Sequence, residues 1–168
     1  MTTARVPTPA AAVTGAPAEL RAIGDRFRDD PALGHMLAVT AMLRATKVAT
    51  DRNEAALAPL GLTMLRFEII GLLANAPNEQ LTLRDLKKAT MLGSSTMTYT
   101  IDWLRDRGFL ERVEERSDRR TVVVTLTAQG RETARLGQLA LAEIQFGLPD
   151  LDEDEAMQVA NVLARVRC

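Results

Sequence analysis

The chain has 168 residues, 46% of them hydrophobic and 26% charged, which is enough for one domain that needs no disulfide or metal to hold its core. One cysteine, Cys168, excludes an internal disulfide and points to a reducing cytoplasm, and one cysteine with one histidine is too few for a zinc cluster of about four N/S ligands. The formal net charge is −1, which taken globally argues against a nucleic-acid binder.

Residues 1–17 are rich in Ala, Pro and Thr, carry almost no large apolar side chains, and read as a disordered tail. The opening MTTARVPTPAAAVTGAPAE has no compact apolar stretch after a basic start, so it does not read as a signal peptide. The later apolar runs fall well short of the ~20 residues that span a bilayer. Leu20, Ile23 and Phe27 stand at helical spacing and predict a short helix over 18–29, weakened by Gly24. Asp30 is a candidate N-cap and Pro31 suits a first turn, so a long helix is expected from Pro31 to about Leu57, stopped by Pro59 and Gly61.

Thr63 caps a second helix, with Leu65, Ile69, Leu72 and Leu73 on one face. Residues 75–80 are a turn. Thr82 and Asp85 resemble a capping box for a short helix to about Thr90. A fourth helix starts at Ser94 or Ser95 and runs to Arg107, with Gly108 as its left-handed stop. Met97, Ile101 and Leu104 make its apolar stripe, while Ser95, Thr98, Tyr99 and Asp102 lie elsewhere on the circumference. Period-two patterning over Phe109–Glu115, a charged turn, and the β-branched run TVVVTLT (121–127) predict a hairpin. Thr127 caps a long helix from Ala128 to Phe146. Asp152 and Glu155 box the last helix, in which Ala156, Val159, Leu163 and Val166 recur on one side.

The order of elements is that of a mainly α fold with a small β-hairpin wing, a winged helix–turn–helix. The charge then divides unevenly. Residues 81–135 hold 11 Lys/Arg against 8 Asp/Glu, and the remainder holds 10 against 14, so the winged segment is locally basic. Ser94, Ser95, Thr96, Thr98 and Tyr99 present hydroxyls and an aromatic ring suited to phosphates, base edges and thymine methyls. Arg105 and Arg112 flank them. Arg116, Arg119 and Arg120 cluster at the wing tip, suited to a narrow minor groove, with Asp118 holding one of them in place. An ordinary amphipathic core helix and a solvated surface turn are the blander readings of the same two segments.

Three segments together carry a family resemblance: LTLRDLKKATMLGSSTMTYTIDWLRDRGFLERV (81–113), SDRR (117–120) and VVVTLTAQGRE (122–132). They resemble the MarR family of winged-helix transcription regulators. The shared features are Leu104 with Gly108, Arg112, Asp118–Arg119–Arg120, and Leu126–Thr127 with Gly130. The resemblance implies a homodimer. On that reading 18–60 gives the N-terminal helices of a dimerisation lobe, 61–127 the winged DNA-binding domain, and 128–168 the C-terminal dimerisation helices. It also implies a repressor on a pseudo-palindromic, double-stranded operator, released by a small aromatic or amphiphilic effector between the dimer helices and the winged lobe. His35, Met36 and Trp103 are the candidates there, against ordinary packing or solvation. Met42 and Met64 are further candidates for an adaptable apolar pocket. No cofactor and no metal is implied.

The sequence departs from the family where Tyr99 and Trp103 replace basic residues, so the recognition helix has no cation before Arg105. This motivates an alternative, a winged-helix module that serves a protein partner without specific DNA binding. An enzyme is disfavoured, because no glycine-rich phosphate loop, zinc signature or Ser–His pair is present. A redox switch at Cys168 is disfavoured because the thiol sensors of the family carry their cysteine near the first long helix. A urate response is disfavoured by Tyr99 and by the absence of a tryptophan in residues 18–29.

Overall fold

A computed structural model describes residues 17–114 and 122–166. The expected tail, apart from Pro17, lies outside them, as do the wing tip and Cys168. The chain forms two compact units that divide between Ala49 and Thr50.

In the first unit, α1 (Ala18–Arg26) buries Leu20, and α2 (Leu33–Leu57) begins with the buried Leu33. Asp30 accepts the Ala32 N–H at 2.7 Å, which satisfies an early donor ahead of α2. Arg44 of α2 reaches Glu19 of α1 at 3.5 Å in an exposed pair.

In the second unit, Pro59 in the single turn Ala58–Leu60 and left-handed Gly61 end the helical run after Leu57. Thr63 accepts the Arg66 N–H and caps α3 (Met64–Ala74), which buries Phe67, Ile69, Ile70 and Leu73. Then follow β1 (Gln80–Thr82), α4 (Leu83–Thr90), α5 (Ser94–Asp106), β2 (Leu110–Glu114), β3 (Val122–Leu126), α6 (Ala128–Glu143) and α7 (Glu153–Leu163). Thr82, Thr127 and Asp152 each accept the N–H three residues on, as their spacing predicts, and Asp152 with Glu155 completes a reciprocal capping box. The core joins Leu57, Phe67, Ile70 and Leu73 to Leu86 of α4, to Met97, Ile101 and Leu104 of α5, and to Val124, Ala134 and Leu141.

The first helix ends at Arg26 rather than at residue 29, and two larger features also differ from the sequence reading. The wing has three strands, not two, in antiparallel order β1–β3–β2, with Leu81 and Arg112 both facing Val124. Three residues are too few to display a period of two, and their pairing with β3 is non-local. Also, α6 ends at Glu143, short of Phe146. Gln145, Phe146 and Gly147 all take positive φ and reverse the chain. Arg52 fixes this reversal, donating at 3.0 Å to both the Gly147 carbonyl and Asp150. No single described helix is long and apolar enough to cross a membrane.

Candidate nucleic-acid interface

The helix–turn–helix is α4, the turn 91–93, and α5. Leu86 buries one side of α4 completely. Met91 closes the helix in a left-handed conformation (φ 55°), uncommon for a residue with a β-carbon, and leaves its side chain exposed. Gly93 then starts α5 with no side-chain cap, so the first backbone N–H groups of the helix keep donor capacity. Burial fixes the rotation of α5. Met97, Ile101 and Leu104 are at most 1% exposed, which turns Ser94, Ser95, Thr96, Thr98 and Tyr99 to solvent, with Tyr99 67% exposed. Thr100 is buried, and its hydroxyl donates to the Thr96 carbonyl at 2.8 Å.

Arg105 and Arg112 are brought together, but around a carboxylate. Asp102 Oδ1 receives Arg105 at 2.9 Å and Arg112 of β2 at 2.8 Å. Arg105 also donates to Asp106 at 2.8 Å, and that hydrogen bond, reinforced by both carboxylates, raises its pKa above the ordinary value. The cluster ties the recognition helix to strand β2 of the wing. Arg116, Asp118, Arg119 and Arg120 lie outside the described residues.

The far end of α5 is held by stacking. Trp103 lies between the guanidinium of Arg66, 3.5 Å from its ring centre, and that of Arg107 at 3.8 Å. Its ring also stacks on Phe109 at 6.3 Å. Trp103 is therefore a packing element between α3 and the start of the wing. Next to it, Thr127 donates to the Gly108 carbonyl at 2.6 Å and accepts the Gly130 N–H at 3.0 Å. This joins the end of the recognition helix to the start of α6. His35 is exposed and Met36 half-buried on α2, in the first unit.

Two groups were not singled out from the sequence. Arg84, Lys87 and Lys88 share one face of α4, at spacings of three and four residues that the sequence already displays. Lys87 donates to Ser94 Oγ at 3.1 Å across the helix–turn–helix. The other is an open cleft of about 720 Å³ between α3 and α6, lined by Phe67, Asn75, Ala134, Arg131, Arg135 and Gln138. Arg131 pairs with Glu79 and Arg135 with Glu132. The Glu132–Arg135 pair is a neighbour pair within α6, whereas the Arg131–Glu79 pair joins residues 52 positions apart and needs the fold.

A helix–turn–helix with a buried stripe, an exposed hydroxyl-rich face and an attached strand pair is the architecture of a DNA-binding transcription regulator. A family model described as MarR family matches residues 60–121. The HTH-type transcriptional repressor Rv2887 of Mycobacterium tuberculosis is 32% identical over 107 residues, which is 64% of this chain and 72% of that protein. Among solved structures, Sco5413, a MarR family transcriptional regulator from Streptomyces coelicolor, superposes with a TM-score of 0.71 at 25% identity, covering 77% of this chain and 90% of its own. A mutant MarR from E. coli, complexed with operator DNA, shares the fold at 22% identity and a TM-score of 0.69, covering 84% of this chain and 98% of its own. The chain belongs to the MarR family, a family of transcription regulators and not of enzymes.

Proposed function

We propose that this chain is a homodimeric repressor that binds a pseudo-palindromic operator and is released by a small-molecule effector. The observation that carries the reading is the face of α5: five consecutive or near-consecutive polar side chains, Ser94, Ser95, Thr96, Thr98 and Tyr99, all exposed above a completely buried stripe. Placed in a major groove, the hydroxyls and the helix's uncapped N–H groups meet phosphates and base edges, and Tyr99 meets a phosphate or a thymine methyl. Arg116, Arg119 and Arg120 of the wing complete the contacts in the minor groove. Asp102 holds Arg105 and Arg112 so that helix and wing present one surface.

Dimerisation is supported by α7, which has no buried residue yet carries Met157, Val159, Val162 and Leu163. Two copies place the recognition helices about one turn, ~34 Å, apart. For the effector, the α3–α6 cleft offers the volume of an ordinary small-molecule site, lined by apolar Phe67 and Ala134 together with polar Asn75 and Gln138. Release follows if the effector prefers a conformation that fits DNA poorly.

Titration of the full chain against the region upstream of its own gene, by gel shift with competitor DNA, tests the reading. A complex that resists competitor at physiological salt is expected. The second reading, a protein-interaction module, is favoured by the engagement of Arg105 with two carboxylates. It predicts no resistant complex, and an affinity indifferent to Arg119→Ala and Arg120→Ala.

A further inference from the structure

We propose that α4 supplies the positive charge that anchors the DNA backbone beside the recognition helix, through Arg84, Lys87 and Lys88 acting as a phosphate clamp. The inference rests on the reading above, in which α5 enters the major groove, and adds which residues anchor it there.

The charge distribution carries the argument. From Ser94 to Asp106, α5 contains one cation, Arg105, against Asp102 and Asp106, so the helix is net acidic. Arg105 contacts both carboxylates, and Arg112 of the wing strand contacts Asp102. A helix of this composition repels a polyanion unless a neighbour reverses the field. The neighbour is α4, with three cations against the single carboxylate of Asp85. Asp85 is already engaged by the Thr82 hydroxyl at 2.7 Å. No described carboxylate pairs with Arg84, Lys87 or Lys88. The three stand within one face of the helix, opposite the fully buried Leu86. With Thr82, Leu83, Asp85 and Val122 of β3 they border an open groove of about 740 Å³.

Lys87 connects this face to the reading surface. Its ammonium donates to Ser94 Oγ at 3.1 Å, in the first turn of α5. An ammonium has three donors, so two remain for other acceptors. Because Ser94 Oγ accepts from Lys87, its own O–H is free to donate outward. One phosphate oxygen is then received by Lys87 and Ser94 together, which fixes the depth of α5 in the groove. Phosphate contacts set register and carry the salt dependence, while α5 retains the sequence information.

The test is the salt dependence of binding of the full chain to a labelled duplex from the region upstream of its own gene, and to a shuffled duplex of equal length. Arg84→Gln, Lys87→Gln and Lys88→Gln are each expected to flatten the slope of log affinity against log salt by about 0.9. Lys87→Arg is expected to keep the wild-type slope. Arg105→Gln is expected to change it less than any of the three. Gln suits an exposed helix, and unchanged melting curves confirm the fold. Wild-type slopes in all three α4 variants overturn the inference. Failure of the regulator reading looks different: the wild type then shows no preference for its own upstream region, while the slopes on either duplex still report on α4. A chain that binds neither duplex overturns both.

Discussion

Gly130 shows how one position can be readable as a motif before its reason is visible. A β-carbon there stands 1.9 Å from the Phe109 carbonyl oxygen and 2.8 Å from Leu126. The backbone of α6 therefore runs directly against the end of the recognition helix, and only glycine permits it. Thr127 secures the same junction from the other side, with its hydroxyl on the Gly108 and Phe109 carbonyls. The Leu–Thr–x–x–Gly pattern was legible as a family signature. Its physical content, a steric and hydrogen-bonded weld between α5 and α6, joins residues about twenty positions apart and has no local trace. Gly130→Ala is expected to lower unfolding free energy by at least about 1–3 kcal/mol, read from the midpoint of a urea melt. Tyr99→Ala should act oppositely: the urea midpoint stays and operator affinity falls, because a 67% exposed ring has little packing to lose. A Tyr99→Ala chain with unchanged affinity and sequence preference places the reading face elsewhere on α5.

At the scale of elements, the helices were legible because their caps are local. Thr63, Thr82, Thr127 and Asp152 each bond the N–H three residues ahead, a spacing written in the chain. The missed strand β1 and the early end of α6 depend on distant partners, β3 and Arg52. The same division runs through the interface. The polar face of α5 follows from the period of its apolar stripe, whereas the engagement of Arg105 and Arg112 by Asp102 needs the fold. Asp102→Asn removes the charge that joins helix to wing. It leaves two cations 2.8–2.9 Å from a neutral amide. The expected result is weaker operator affinity with a change of less than about 1 kcal/mol in stability, since partly exposed pairs contribute little to folding. Leu104→Ala is the contrast, a fully buried side chain whose loss costs roughly 2–5 kcal/mol in a denaturant melt.

The whole molecule carries two further consequences, one of charge and one of exposed surface. The hydrogen bonds from Arg131 and Arg135 hold the Glu79 and Glu132 carboxyls below their ordinary 4.5, while burial raises Glu68 above it. A lowered carboxylate contributes stability that is present above its unfolded pKa and lost as pH falls through its folded value. Glu68 has the reverse sign and relieves the fold on protonation. The difference in urea midpoint between wild type and Glu79→Gln should therefore be constant near neutrality and shrink below about pH 4.5.

The exposed surface is the larger matter. α7, the last described helix, leaves Met157, Val159, Val162 and Leu163 uncovered, and α6 adds Leu136 and Leu139, 38% and 55% exposed. Isolated soluble chains rarely leave so many large apolar side chains in water on adjacent elements. A capping box fixes the start of α7 firmly, although no residue of the helix is buried. Such a helix is ordered by its ends but not yet stabilised by packing, as expected of half an interface. Val159→Asp with Val162→Asp places two carboxylates in that face and should convert the dimer proposed here to a monomer in sedimentation equilibrium. Operator affinity should fall steeply with it, because two half-sites joined in one molecule bind at an effective concentration that separate monomers lack. The Gly130→Ala and Leu104→Ala variants are expected to lose stability first. The α7 variant should instead keep its winged fold and its weak affinity for a single half-site, and a variant that stays dimeric moves the interface off α7.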